Sequence, residues 1–507
     1  MKNMKTGRKI TTIALILSML LALSGCSVAS DFLLSDTAQD APAVSGYSDG
    51  VYYDYGSGEQ YLAIDEQGEQ LVSKRPEATF SLKVDTASYS NVKRFIENGS
   101  LPPPDAVRTE ELINWFSFDE PLQFDRTSPF GFYTEIGPSP FDEEKSLALV
   151  RVGTREVDRS ELPASNLVFL IDVSGSMSSY DKLPLLQESL ALLVETLDED
   201  DRVSIVTYAS GTEVVLRGAS GSDNQYIEDA IFSLRAGGST AGEQGIQTAY
   251  ELAERYFIEG GNNRVILATD GDFNVGISST RELSRFISKQ RNTGVYLSVL
   301  GFGTGNIRDD IMETLAKDGN GNYNYIDSIR TAEKVLVNEL ASNLFTVADD
   351  VKAQIVFNEE AVYSYRLIGY ENRMLKAEDF DDDRVDAGEI GAGTDIILLF
   401  EFTTHDAQAV EGDHLFDVRI RYKDPGEKAS QLVEFPQYQE YADSKNTTDF
   451  GFVSAVALFG DFLRNEGAGG RNALRTMTDL AEENLGKDRA GYREDFVDLL
   501  YLLRSAR

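Results

Sequence analysis

Apolar positions change their period several times along this chain. NLVFLID (166–172), RVSIVTYA (202–209), NRVILATD (263–270) and GVYLSVLGFG (294–303) are near-continuous apolar runs, and most are followed by segments with helical spacing. Those segments predict helices over Leu183 to Leu197 and near 225–234, 243–256, 281–290, 309–316 and 330–344. Buried strands alternating with amphipathic helices predict an α/β fold with a doubly wound, mostly parallel sheet of Rossmann-like type, covered on both faces. TEVVLR (212–217) follows SIVTYAS so closely that it reads as a hairpin, hence an antiparallel edge strand, and NYNYI (322–326) adds a last short strand.

The flanks read differently. EATFSLKVD (77–85) alternates like a strand and leads to helical patterns at Ser88 to Glu97 and at Asp105 to Phe116, with Asp105 as the expected N-cap after three prolines. FYTEIG (132–137) and KSLALVRVGT (145–154) precede the α/β block; VKAQIVF (351–357), DIILLFEF (395–402), HLFDVRIRY (414–422) and QLVEF (431–435) follow it. Each set is short for a sandwich of its own. The two are therefore expected to pair into one flanking β-sandwich from which the α/β domain is inserted. The last stretch predicts three C-terminal packing helices, the first with Phe450, Val453, Val456, Phe459 and Leu463 on its apolar face.

The N-terminus adds an address. Lys2, Lys5, Arg8 and Lys9 precede a 14-residue apolar run from Ile10 to Leu23, shorter than the ~20 residues that span a bilayer. It reads as a secretory signal. The run ends in Leu23-Ser24-Gly25-Cys26, which resembles a bacterial lipobox; the resemblance implies that Cys26 is diacylated and becomes the mature N-terminus, in the cell membrane or outer membrane and facing away from the cytoplasm. Two acyl chains give stable anchoring where one does not. Ser27 to Ser73 holds nine acidic residues and no Lys or Arg, so it is expected to remain an unfolded tether. The expected division is 1–25 signal, 26–76 tether, 77–160 α+β flank, 161–345 α/β domain, 346–440 sandwich strands and 441–507 helices.

Composition then narrows the chemistry. The 507 residues contain 84 Asp+Glu against 47 Lys+Arg, a formal charge of −37, and a chain starting at Cys26 would keep 43 of the bases and all of the acids, −41. No basic stripe is present, which argues against nucleic acid as a partner. A single Cys excludes a disulfide framework and CxxC sites. The only histidines are His405 and His414, so no His-based triad or HExxH site exists in the first 400 residues.

What remains is oxygen chemistry. The first α/β strand runs into Asp172-Val173-Ser174-Gly175-Ser176; Gly237-Gly238-Ser239-Thr240 precedes a helix; Thr269-Asp270-Gly271-Asp272 follows another strand. In open α/β sheets ligands bind beyond the carboxyl ends of strands where strand order reverses. In this order and spacing the three loops resemble the metal-ion-dependent adhesion site of a von Willebrand factor type A domain. The resemblance implies that Ser174, Ser176 and Thr240 ligate a metal through hydroxyls while Asp172 and Asp270 act directly or through water. Such donors suit Mg²⁺, with Mn²⁺ or Ca²⁺ as alternatives. FSLKVDTASYSNVKRFIENGSLPPPDAVRTEELINWF (80–116) and YRLIGYENRMLKAEDFDDDRVDAGEIGAG (365–393) are similar to flanking segments of the YfbK-like group of bacterial von Willebrand A proteins.

Other motifs read as scaffold. Asp85-Thr86-Ala87-Ser88 echoes the metal motif without companion loops and is expected to cap a helix. Gly301-Phe302-Gly303-Thr304-Gly305 fails the phosphate pattern at Asn306 and reads as a strand-to-helix turn. Asp318 to Asn322 begins like an EF-hand loop but has Tyr323 and Ile329 where Gly and Glu are required. Asp379 to Asp386, with five Asp in eight residues, reads as a solvated loop. The leading functional expectation is a membrane-anchored, non-enzymatic module whose cation captures a Glu or Asp of a protein partner, or of a flanking domain. The alternatives are a metal-assisted hydrolase, with Asp272 as the extra carboxylate nearest the site, and a structural role in envelope assembly.

Overall fold

The computed structural model describes residues 52–54, 58–83, 85–124, 128–239, 243–271, 280–405, 412–438 and 446–506. The expected signal segment and Cys26 lie outside them.

The α/β sheet has six strands in the order Thr212–Ser220, Arg202–Tyr208, Ser165–Asp172, Asn262–Thr269, Val295–Phe302, Tyr323–Ile326. All neighbours are parallel except Thr212–Ser220, which runs antiparallel at the edge as the hairpin reading predicted. Ser165–Asp172 and Asn262–Thr269 are buried at every position, which is why their sequences do not alternate. Leu167, Phe169 and Ile171 enter the core on one face with helix Leu183–Val194, and Val168 and Leu170 enter the other with Ile246 and Ala249 of helix Glu243–Arg255. Each such Leu, Ile, Val or Phe side chain contributes roughly 1.5–3 kcal/mol on burial.

Two further six-stranded sheets face each other as a sandwich. One runs Met374–Leu375, Glu77–Ser81, Thr346–Phe357, His414–Lys423, Ser430–Tyr438, with Gly388–Gly391 also on Thr346–Phe357; the other runs Gln70–Leu71, Val362–Ile368, Asp395–Thr404, Ser146–Thr154, Phe130–Pro138, Gln123–Phe124. Ser146–Thr154 pairs with Asp395–Thr404 from Gly153–Asp395 to Ser146–Phe402, and Glu77–Ser81 pairs with Thr346–Phe357. Segments from both sides of the α/β block thus share each sheet, and Phe80, Val150, Ile355, Leu398 and Phe416 share one core. The block is an insertion.

Helices Thr448–Arg464, Gly470–Glu483 and Tyr492–Ala506 close a third core against Trp115, Phe116, Leu147 and Leu149. Thr447 caps the first, its Oγ1 accepting the Phe450 N–H at 3.2 Å. All five residues of the expected apolar face are buried.

Four expectations are corrected. Residues 58–76 are part of the fold rather than the end of a tether: Tyr61 and Val72 are buried, and the Glu59 carboxylate takes two bonds from the Arg94 guanidinium at 3.0 Å. A few anchors substitute for the periodic pattern that the segment lacks. The helix expected from Asp105 is a turn, Pro104–Ala106, and a short helix, Thr109–Ile113, because Val107 and Arg108 are extended between them; Asp105 accepts the Ile64 N–H at 3.0 Å instead of capping. Asp85 does not cap either. It is buried and accepts the Tyr323 N–H at 2.9 Å and Arg373 at 2.6 Å, tying the flank to the last strand of the α/β sheet. The helix expected over 330–344 breaks into Ile329–Glu333, a π turn at Lys334–Asn338, and Leu340–Leu344.

Candidate metal centre at the sheet switch point

Strand order reverses at Ser165–Asp172, whose neighbours on either side lead outward in opposite directions. The carboxyl ends of this strand and of Asn262–Thr269 therefore carry Asp172 and Asp270 side by side, both with no solvent exposure. After Asp172 the chain is held by backbone bonds. Val173 donates to the Tyr208 carbonyl at 3.0 Å, Gly237 donates to Val173 at 2.7 Å, and Gly175 donates to Gly238 at 3.0 Å. These bonds join the Asp172–Ser176 loop to the Gly237–Ser239 loop. Gly238 has φ +85°, and a Cβ there would lie 2.5 Å from Ser210 Oγ, so only glycine permits this approach.

Within the first loop, the Ser174 N–H donates to Asp172 Oδ1 at 2.8 Å, and Ser174 Oγ and Ser176 Oγ are 2.9 Å apart. Ser174 is buried and Ser176 exposed, so the hydroxyl pair runs from the carboxylates to the surface. Thr269 Oγ1 donates to Asp172 Oδ2 at 3.4 Å and accepts the Gly271 N–H at 3.2 Å. Four of the five expected ligands converge. Thr240, the fifth, and Asp272 lie outside the described residues.

Burial pushes the Asp172 carboxyl up to about 6; the neighbouring charge of Asp270 adds to this, while hydrogen bonds from Ser174 oppose it. The pair also has a basic neighbour that motif reading missed. Lys182, 7% exposed, donates from Nζ to Asp270 Oδ2 at 2.8 Å and to Asn306 Oδ1 at 3.3 Å. One signal was available: a Lys immediately before the apolar helix Leu183–Val194 opposes the helix dipole, which an interior carboxylate explains.

The donor set fits a hard divalent cation: oxygens only, two of them from buried carboxylates and two from hydroxyls. Among the described residues no group of three or more His, Cys, Asp or Glu could hold a metal, and the oxygens beside the two carboxylates here are those of Ser174 and Ser176. Of the motifs read as scaffold, the Gly301–Gly305 turn borders this site, with Gly303 against the Lys182 stem, while the acidic loops are tied down by other groups. Asp318 takes a hydrogen bond from Ser284, and the 379–386 loop is clamped by bases: Lys352 binds the carbonyls of Asp379 and Asp382, Arg421 pairs with Asp381, and Arg291 pairs with Asp386 at 2.8 Å.

Comparison with known proteins accounts for nearly all of the described chain. Residues 166–338 match the von Willebrand factor type A domain model, 56–149 a von Willebrand factor model, and 342–505 the model "Uncharacterized protein YfbK, C-terminal". "Uncharacterized protein YfbK" of Escherichia coli (strain K12) is 44% identical over 465 residues, which cover 87% of this chain and 80% of that protein. The chain belongs to the YfbK-like von Willebrand A proteins. This YfbK-like chain is also 25% identical over 164 residues to inter-alpha-trypsin inhibitor heavy chain H3 of Mesocricetus auratus, covering 31% of this chain and 18% of that one. A solved von Willebrand factor type A structure from Catenulispora acidiphila covers 74% of this chain and 91% of its own at 18% identity, with a TM-score of 0.43. The match from residue 56 includes residues 56–76, the last part of the segment that composition alone assigned to a tether.

Proposed function

We propose that this protein is a metal-dependent protein-binding module. The von Willebrand A domain supplies the coarser part of the reading, since domains of this family are interaction modules. The observation that carries the finer part is the convergence of Asp172, Asp270, Ser174 and Ser176 at the sheet switch point, two buried acids below a hydroxyl pair that reaches the surface. A divalent cation held there, with Thr240 as a further ligand, would present an electrophilic open position to a carboxylate. Asp172 and Asp270 supply the counter-charge, and the loops joined through Gly175–Gly238 and Val173–Gly237 fix the hydroxyls. The preferred partner group is a Glu or Asp side chain. In a protein of charge −37, a local cation offsets the repulsion that another acidic surface would meet. Lipidation at Cys26 would hold the module on a membrane, outside the cytoplasm.

The test is capture of envelope partners by wild type and Asp172→Ala, each with Mg²⁺ and with chelator. Partners retained only by wild type with Mg²⁺ are expected. Identical partner sets in all four conditions overturn the reading.

A further inference from the structure

The site contains a cation of its own, and its position has consequences for what binds there. Lys182 reaches Asp270 from the start of helix Leu183–Val194, and its ammonium is bonded on the far side to Asn306. Its stem lies against Gly303, where any Cβ would overlap the lysine methylenes. The Gly303–Arg308 loop is in turn fixed from outside the α/β domain: the Gly305 N–H donates to Glu59 Oε1 at 3.0 Å, and the Gln60 N–H donates to the Ile307 carbonyl at 2.9 Å. From within, the Tyr325 hydroxyl donates to the Gly303 carbonyl at 2.5 Å. Gly271, beside Asp270, has φ +102°, and a Cβ there would lie 2.6 Å from the Arg308 nitrogen. Lys182 is therefore held in place by the same loop that abuts the acidic loop, and that loop is bound to the N-terminal flank.

We propose that Lys182 is a built-in counter-cation: it weakens divalent cation binding at Asp172 and Asp270 and in exchange leaves the loaded site with a net positive charge that strengthens capture of a carboxylate. This rests on the metal-dependent reading above. The charge balance is simple. Among the described residues, the two carboxylates balance the formal charge of a divalent cation, and Lys182 adds one positive charge to that balance. Because Asp172, Asp270 and Lys182 are all buried, that charge is poorly screened by solvent and acts on both equilibria. Lys182 is a positioning and specificity residue; it is no ligand of the cation.

Mn²⁺ binding to the purified full chain, followed by electron paramagnetic resonance, separates the possibilities, with acetate as the carboxylate probe. Lys182→Met is expected to bind Mn²⁺ at least tenfold more tightly than wild type, and the loaded variant to bind acetate at least threefold more weakly than loaded wild type. If Lys182→Met does not fold by circular dichroism, Lys182→Gln, which keeps a donor for Asp270 without the charge, is measured in its place. Equal or weaker Mn²⁺ affinity in the variant overturns the role of Lys182, as does undiminished acetate binding. Absence of Mn²⁺ binding in both proteins overturns the metal reading and this inference with it. Binding in both that is lost in Asp172→Ala, with equal affinities, overturns the inference alone.

Discussion

Arg108 is fully buried with charges on several sides. It donates to Glu111 at 2.6 Å and to Asp309 at 2.7 Å, and Glu313 lies 3.6 Å away. Arg373 and Lys83 stand nearby on Asp85, so three bases face four acids. The surplus is felt at Glu111. Burial pushes its carboxyl up to about 8; Arg108 pulls it down and Asp85 pushes it further up. A raised acid favours the protonated form in the folded state, so its contribution to stability is fully present below the ordinary value of 4.5 and is lost as pH rises toward 8. Glu111→Gln is expected to flatten the fall in urea midpoint between pH 5 and pH 8. Arg108→Met leaves those acids facing one another and should cost about 3–5 kcal/mol in the same titration. At the candidate metal centre, saturating Mg²⁺ should raise the melting temperature of wild type but not of Asp172→Asn, with about 2.7 kcal/mol of stabilisation at a hundredfold excess over Kd. The candidate ligand residues were legible because short motifs hold Asp172, Ser174 and Ser176 within five positions. Lys182, Glu59 and Arg108 were not, because each has a partner far along the chain: Asp270, Gly305 and Asp309 lie 88, 246 and 201 residues away.

Elements were legible in proportion to their period. Strands buried on both faces, such as Ser165–Asp172, produce continuous apolar runs, and the amphipathic helices around them keep a 3.6-residue rhythm. Elements fixed by one polar contact leave no such trace. Helix 109–113 starts late because Arg108 must stay extended to reach Asp309, and the 379–386 loop owes its shape to lysine and arginine side chains from strands Thr346–Phe357 and His414–Lys423. The turn at Gly238 belongs to this class. Gly238→Ala meets both a positive φ and Ser210 Oγ. It is expected to cost ~1–3 kcal/mol and, by parting the Gly175–Gly238 bond, to lower Mn²⁺ affinity more than a mutation of equal cost in the sandwich; thermal melts and Mn²⁺ titration of the two variants check this.

For the whole molecule, sequence patterning supplied the inserted arrangement through a count of strands: neither flank had enough for a sandwich. It did not supply the share taken by residues 58–76, whose docking depends on Glu59 and Tyr61 meeting surfaces built by distant segments. The arrangement has a consequence in time. The α/β sheet draws on one continuous stretch, whereas Ser146–Thr154 must wait for Asp395–Thr404 before it acquires that neighbour. On refolding from urea, pulsed hydrogen exchange should protect amides of Ser165–Asp172 before those of Ser146–Thr154; simultaneous protection would contradict this. At a ribosome adding about 5–20 residues per second, the roughly 240 residues between Gly153 and Asp395 correspond to about 12–48 s of synthesis. Throughout that interval the nascent chain carries an apolar strand with one edge unpaired, and whatever receives the chain must shield it until the second half emerges.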